Sequence, residues 1–321
     1  MKKIIVVSVI FVMATVTCYY AFPGQVSNIL ISLQRSNAGL IQKEIKIKDH
    51  HIVYLEGGSG PTILLLHGYT ADKDNWLPMA FFLRGYHLII PDIPGYGDST
   101  KLFSASYDPA SQVERLHEFT RAIGIRNFHI AGNSMGGWFA GLFAARYPDE
   151  IISLGLFDAA GVRSLKKSPV SVMIEKGENP LLLKDKDDFP RLLSLVFVHP
   201  PRFPYPVKKA FIQKRLKNRK FEEKAAADFI GDFSLEKELD KIKAPSLILW
   251  GEQDKILDIS SVPVFEKGLK DHKTVIIPDC GHAPMIEKPQ ETAAAYLNFI
   301  RSIQLYSRIE QQTHIIKHSE K

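Results

Sequence analysis

From about residue 44 to residue 303 the hydrophobic residues fall into short runs separated by longer amphipathic stretches. This alternation is the one from which α/β sheets are built. "IKIKDHHIVYLEGG" alternates with period two around a turn at Asp49-His50, which predicts an antiparallel hairpin at a sheet edge. Continuous apolar runs follow: "TILLLHG", "YHLIIPD", "FHIAGNS", "ISLGLFD", "SLILWGEQD" and "KTVIIPDCGH". Runs without polar alternation predict parallel strands covered on both faces. The clearest helix between them is "DPASQVERLHEFTRAIG", with Asp108 as N-cap, Pro109 in the first turn and Gly124 as C-cap. The pattern predicts an α/β fold with a mostly parallel eight-stranded sheet flanked by helices.

Two segments break it. Between residues 162 and 241 a stretch rich in Lys, Pro and Phe supplies no strand, and a structureless loop of that length does not suit a compact domain. It reads as an inserted helical cap, dividing the core into residues 26–161 and 242–303. At the N-terminus Lys2 and Lys3 precede an uncharged, mostly apolar run from Ile4 to Phe22. A spanning helix needs about 20 such residues, so residues 1–25 read as a membrane anchor or, if cleaved, a signal peptide. The two lysines predict a cytoplasmic N-terminus with the rest of the chain outside. Residues 26–43 read as a polar connector, and residues 304–321 as a polar tail that frays a helix end.

Composition adds little. The 321 residues are 45% hydrophobic and 24% charged, which is ordinary for a soluble globule and excludes disorder and fibrous repeats. A formal charge of +6 favours anionic surfaces without naming one. Cys18 and Cys280 are the only cysteines, so no disulfide framework is expected.

The chemistry starts in "HIAGNSMGGWFA". Gly132, Ser134 and Gly136 form G-x-S-x-G directly after a strand and directly before a helix. A serine on so sharp a turn needs neighbours without bulk, and the new helix aims its unpaired N–H groups at whatever the serine attacks. A serine hydroxyl also needs a base, and the base an orienting acid. Asp254 follows the run "SLILW" and His282 follows "TVIIPD", both at the strand edge where open α/β sheets gather their reacting groups. Asp158, at the end of the preceding strand, is a rival for the acid. Asp279 is expected to hold its loop. His50, His51, His117 and His199 are expected to lack a paired acid at a strand edge.

"LLLHGYTADKDNW" ends another strand in His67-Gly68-Tyr69. Acyl transfer develops negative charge on an oxygen, and backbone N–H groups aimed at it are worth roughly 3 kcal/mol each. The expected donors are those of Tyr69 and of Met135, the residue after the serine. "PDIPGYGDS", with its prolines and glycines, reads as a fixed structural loop.

These phrases, with "GNSMGGWFAGLFAARYPD", "LILWGEQDKILD", "PDCGHAPMIEKP" and the cap phrase "ENPLLLKDKDDFPRLLSLVFVHPP", together resemble α/β-hydrolases. They are most similar to membrane-anchored monoacylglycerol lipases and secreted bacterial triacylglycerol lipases, over about residues 25–303. The resemblance implies that Ser134 is the nucleophile, Asp254 the acid, His282 the base, and Tyr69 and Met135 the oxyanion donors. It implies a carboxylic ester substrate of the acylglycerol kind with a medium or long acyl chain, and no cofactor or metal. Nothing in the chain points to nucleic acid.

Two alternatives stand beside this reading. "GNSMGG" also resembles the elbow of hydrolases that cut carbon–carbon bonds in aromatic ring-cleavage products, although those act on soluble metabolites and have no use for residues 4–22. A binding scaffold would be expected to have lost part of the site. Within the cap, Phe197, Phe203 and Tyr205 with Lys208, Lys209, Lys214, Arg215 and Lys217 read either as a face for an anionic lipid surface or as ordinary packing with a solvated charge run.

Overall fold

The computed structural model describes Ser8, Met13 and residues 15–319, with side chains through Ile303 and at Leu305. Residues 4–7, 9–12 and 14 of the apolar run from Ile4 to Phe22 therefore lie outside the described residues. Among the described residues no helix is long and apolar enough to cross a membrane.

Eight strands form one sheet: β1 (Leu40–Lys46), β2 (His51–Gly57), β3 (Thr62–Leu66), β4 (His87–Pro91), β5 (Phe128–Asn133), β6 (Ile151–Phe157), β7 (Ser246–Gly251) and β8 (His272–Ile277). Their order is β1-β2-β4-β3-β5-β6-β7-β8. The β1–β2 hairpin and the β2–β4 pair are antiparallel, and every other pair is parallel. The continuous apolar runs have a simple cause in this arrangement. On β7, Leu247 and Leu249 enter the core on one face, while Ile248 and Trp250 enter the core on the other. Both faces are covered by helices, so both residue sets must be apolar. The helices Pro109–Ala122 and Met135–Arg146 supply Phe119, Phe139 and Phe143 to one side; the long helix Pro289–Ser319 supplies Tyr296 and Phe299 to the other. β8 departs from expectation. As the edge strand it leaves most of its side chains exposed or half-buried.

The Pro109–Ala122 helix is capped as its sequence predicts: the Asp108 carboxylate accepts the Ser111 N–H at 3.0 Å, and Gly124 adopts φ 76° beyond the C-terminal end. The supposed polar connector is different. Residues Pro23–Asn37 form a helix and β1 begins at Leu40, within what reads as linker. The helix is marked by a narrow stripe, Pro23, Ser27 and Ile31, that faces the protein, while its other side leaves Ile29 and Leu33 exposed among polar residues. Arg35, one turn further, grips Asp74 with two hydrogen bonds of 2.7 and 2.6 Å. Residues 304–319 likewise continue the Pro289–Ser319 helix without a break.

Between β6 and β7 the chain forms three α-helices, Pro169–Glu175, Phe189–Val196 and Tyr205–Ala227, with short 3-10 turns between and after them. Leu183, Phe189, Leu192 and Ile212 make a small core of their own there. The Tyr205–Ala227 helix packs along Pro23–Asn37, and the Tyr205 N–H donates to the Tyr19 hydroxyl at 3.1 Å.

Candidate active site

β5 ends at Asn133 and the next helix starts at Met135, so Ser134 alone makes the turn. It does so at φ 58°, ψ −121°, a conformation that costs a non-glycine residue about 1–3 kcal/mol and persists only when its surroundings impose it. They do. Its N–H donates to the Phe157 carbonyl at 3.0 Å, and its carbonyl accepts from Trp138 and Ala160 at 3.1 and 3.0 Å. The flanking glycines supply clearance: a Cβ on Gly132 would lie 2.2 Å from the Gly136 carbonyl, and one on Gly136 would lie 2.3 Å from the Leu66 oxygen.

Asp254 and His282 arrive from the loops after β7 and β8, and both are buried. His282 Nδ1 lies 2.7 Å from Asp254 Oδ2. A carboxylate only accepts, so the ring donates from Nδ1 and keeps Nε2 as its basic nitrogen. Asp254 Oδ1 is held by the N–H groups of Ile256 and Leu257 at 2.7 and 3.0 Å. The backbone of His282 is anchored on both sides: its N–H donates to Val196 at 2.8 Å, and its carbonyl accepts from the Asn133 side chain at 2.9 Å. Asn133 immediately precedes Ser134, so one amide ties the imidazole's chain to the elbow. The sequence reading missed this residue, although its position inside the motif could have flagged it.

Asp158, the rival acid, sits just past β6 with its Oδ1 accepting the Gly251 N–H at 2.8 Å. The hydrogen-bonded partner of the imidazole is Asp254. Donor atoms of Asp158, Asp254 and His282 all lie within 4.8 Å of one another, a spacing that suits a metal ion, but here Nδ1 and Oδ2 already satisfy each other.

The loop after β3 is set by His67. Its Nδ1 donates to the Gly68 carbonyl at 2.8 Å, and its Nε2 accepts the Ile93 N–H at 3.0 Å. Burial lowers its pKa to about 4, so the ring stays neutral and makes both bonds. Among the described residues no acceptor takes the Tyr69 N–H, and Met135, as the first residue of its helix, has an N–H with no partner inside the helix. The Tyr69 hydroxyl donates to the Glu222 carbonyl at 2.9 Å.

That bond reaches the Tyr205–Ala227 helix, where the lipid-facing reading of the basic run needs correction. Arg215 is 5% exposed; its guanidinium donates to the Thr70 and Leu181 carbonyls, at 2.5 Å each, and pairs with Glu222 at 3.6 Å. Lys214 bridges Asp72 and Asp98 at 3.0 and 3.4 Å. Phe197 is buried as well. These three side chains hold the insertion to the core, whereas Phe203, Tyr205 and Lys208 do remain exposed. The reason is tertiary: Asp72, Asp98 and the Thr70 carbonyl come from two distant loops.

"PDIPGYGDS" is fixed by a buried ion pair. Asp92 accepts from Lys73 Nζ at 2.7 Å, from the Lys73 N–H at 2.8 Å and from the Asp98 N–H at 2.7 Å. His199 also corrects the expectation, since its Nε2 lies 2.8 Å from Asp279 Oδ2 in the loop after β8. Both side chains are exposed, so the contact is a surface tether for that loop. His50 and His117 likewise find carboxylates, Asp49 and Glu150, away from the site.

Residues 61–289 match a family model described as the alpha/beta hydrolase fold. The chain belongs to that family. It is 38% identical to Lipase 1 of Psychrobacter immobilis over 85% of this chain and 88% of that protein. It is 29% identical to the monoacylglycerol lipase ABHD6 of Bos taurus, over 91% of each. Among solved structures, a bacterial membrane phospholipase A superposes with a TM-score of 0.87 at 41% identity, covering 95% of this chain and 99% of the other. Hydrolases of aromatic degradation match at 22% identity, which shows the shared fold alone. This α/β-hydrolase is therefore an ester hydrolase of the lipase type, and the carbon–carbon bond alternative is not favoured.

Proposed function

We propose that this α/β-hydrolase cleaves acylglycerol esters through an acyl-enzyme on Ser134. The observation that carries the residue roles is the 2.7 Å contact between His282 and Asp254, tied through Asn133 to the serine's own turn. His282 Nε2 takes the proton as Ser134 Oγ attacks the ester carbonyl, and Asp254 stabilises the imidazolium that forms. The backbone N–H groups of Tyr69 and Met135 receive the negative charge that develops on the carbonyl oxygen. The imidazolium protonates the leaving glycerol; water then repeats the sequence and frees the fatty acid.

The β6–β7 insertion serves as a cap over the acyl chain, and residues 1–25 anchor the enzyme with its catalytic domain outside the cytoplasm. Supporting this, Tyr19, Tyr20 and Tyr205 cluster where the N-terminal segment meets the cap, with ring centroids 5.1 to 6.3 Å apart. Phe22 and Phe203 stand exposed alongside, and aromatic residues of this kind favour the membrane–water boundary.

The test is hydrolysis of monoacylglycerols and of esters with graded acyl length by the purified full chain. Ser134→Ala is expected to lower kcat by about 10⁴-fold or more with the fold intact, and a fluorophosphonate should label Ser134 alone. Turnover of a soluble dienoic ketone with none of glycerol esters would reverse the substrate assignment, and an active Ser134→Ala would remove the nucleophile.

A further inference from the structure

Asp158 is fully buried beside the Asp254–His282 pair, in a left-handed backbone conformation at φ 44°. Its N–H donates to Leu249 at 2.9 Å and its Oδ1 accepts from Gly251 at 2.8 Å. Gly251 is the last residue of β7, three residues before Asp254, so the contact fixes Asp158 to the strand end that presents the acid. Its other oxygen, Oδ2, meets no donor. Two carboxylates lie here with their oxygens within 4.8 Å of each other, and the one base among them, His282, has given its Nδ1–H to Asp254. The other titratable groups that face Asp158 are Glu287, from the turn after His282, and the Cys280 thiol, and neither brings positive charge. Two carboxylates so placed do not both ionise, and a buried carboxylate oxygen without a donor is costly.

We propose that Asp158 is a positioning residue that carries a proton on Oδ2 and donates it to Asp254, extending the acid–base pair into a chain Asp158–Asp254–His282. Burial first, and then the neighbouring Asp254, push its carboxyl well above the ordinary carboxylate range, in keeping with this placement. The added hydrogen bond steadies Asp254 without adding charge: Oδ1 is already taken by the Ile256 and Leu257 N–H groups, but Oδ2 accepts only from His282 and has a second lone pair to offer. At alkaline pH the proton leaves, Asp254 loses a donor and gains a like charge beside it, and turnover falls. The proposal rests on the roles given above to Asp254 and His282.

The experiment compares wild type, Asp158→Leu and Asp158→Asn in kcat and KM across neutral to alkaline pH, with infrared spectra of the resting enzymes. Leucine offers no donor, and kcat is expected to fall about tenfold or more with KM little changed. Asparagine offers an N–H at every pH, and is expected to restore kcat and to remove the alkaline fall. The carbonyl band of a buried protonated carboxylic acid should appear in wild type and vanish in Asp158→Asn. If asparagine is as damaging as leucine, or the band is absent, the proposal is wrong. If instead Asp254→Asn keeps full activity while Asp158→Asn is inactive, the assignment of the acid itself has failed. A folded but poorly active Asp158→Leu protein is checked by its melting temperature, and the infrared band decides even where the leucine variant does not fold.

Discussion

At the scale of single residues, the elbow works by exclusion as much as by contact. Ser134 is held in its strained turn because Gly132 and Gly136 let strand, helix and the β3 loop cross without side chains between them. Gly136→Ala makes this testable, since its methyl would meet two backbone oxygens, those of Leu66 and His67, at 2.3 and 2.5 Å. Backbone cannot move aside as a flexible side chain can, so the expected loss is about 1–3 kcal/mol or more in urea unfolding. The strain falls on the loop that offers the Tyr69 N–H, so kcat should drop more than KM rises. A variant with unchanged unfolding midpoint and kcat would show that the glycine is dispensable. The motif glycines were legible in sequence because steric demand at a turn is local; Asn133 was legible only in position, because its partner, His282, lies 149 residues away.

At the scale of elements, the Tyr205–Ala227 helix is fastened to the loop that carries Tyr69, the proposed oxyanion donor, by buried polar groups. Arg215 holds the Thr70 carbonyl, Glu222 accepts the Tyr69 hydroxyl through its backbone, and the two side chains face each other in a site closed to water. Arg215→Met leaves Glu222 buried without its cation, which typically costs 3–5 kcal/mol for a broken buried pair (about that order). Loss of the Thr70 contact should also lower kcat. The double variant Arg215→Met, Glu222→Gln is expected to recover much of the stability and little of the rate, as thermal melts and steady-state kinetics would show. Recovery of both would mean that the clamp does not position the loop. The exposed partner of the same junction answers to acid. Burial alone would raise the Asp98 carboxyl, but Lys214 and Lys73 outweigh it and hold it at about 2. A depressed carboxylate stabilises above its unfolded value, about 3.9, and that support is lost as pH falls through about 2. None of this showed in the pattern "KKAFIQKRLKNRK", where buried Arg215 and exposed Lys217 look alike.

At the scale of the molecule, a sheet carrying Ser134, Asp254 and His282 on one edge is joined to an insertion that meets the N-terminal segment at Tyr19, Tyr20 and Tyr205. If that junction seats the enzyme on lipid, removing residues 1–24 should leave hydrolysis of a short soluble ester nearly unchanged. It should also abolish sedimentation with anionic vesicles and lower turnover of vesicle-borne substrate. Equal binding by the truncated and full chains would end the anchoring role. What the sequence by itself determined is the sheet, its helices and the places where reacting groups could stand, because burial on both faces and the turn at Ser134 are imposed within a few neighbouring residues. The tertiary structure alone decided which carboxylate meets the imidazole, which cations of a basic run are buried, and that Pro23–Asn37 is a helix packed on the insertion. Those outcomes depend on partners brought together from far along the chain, and spacing in sequence carries no record of them.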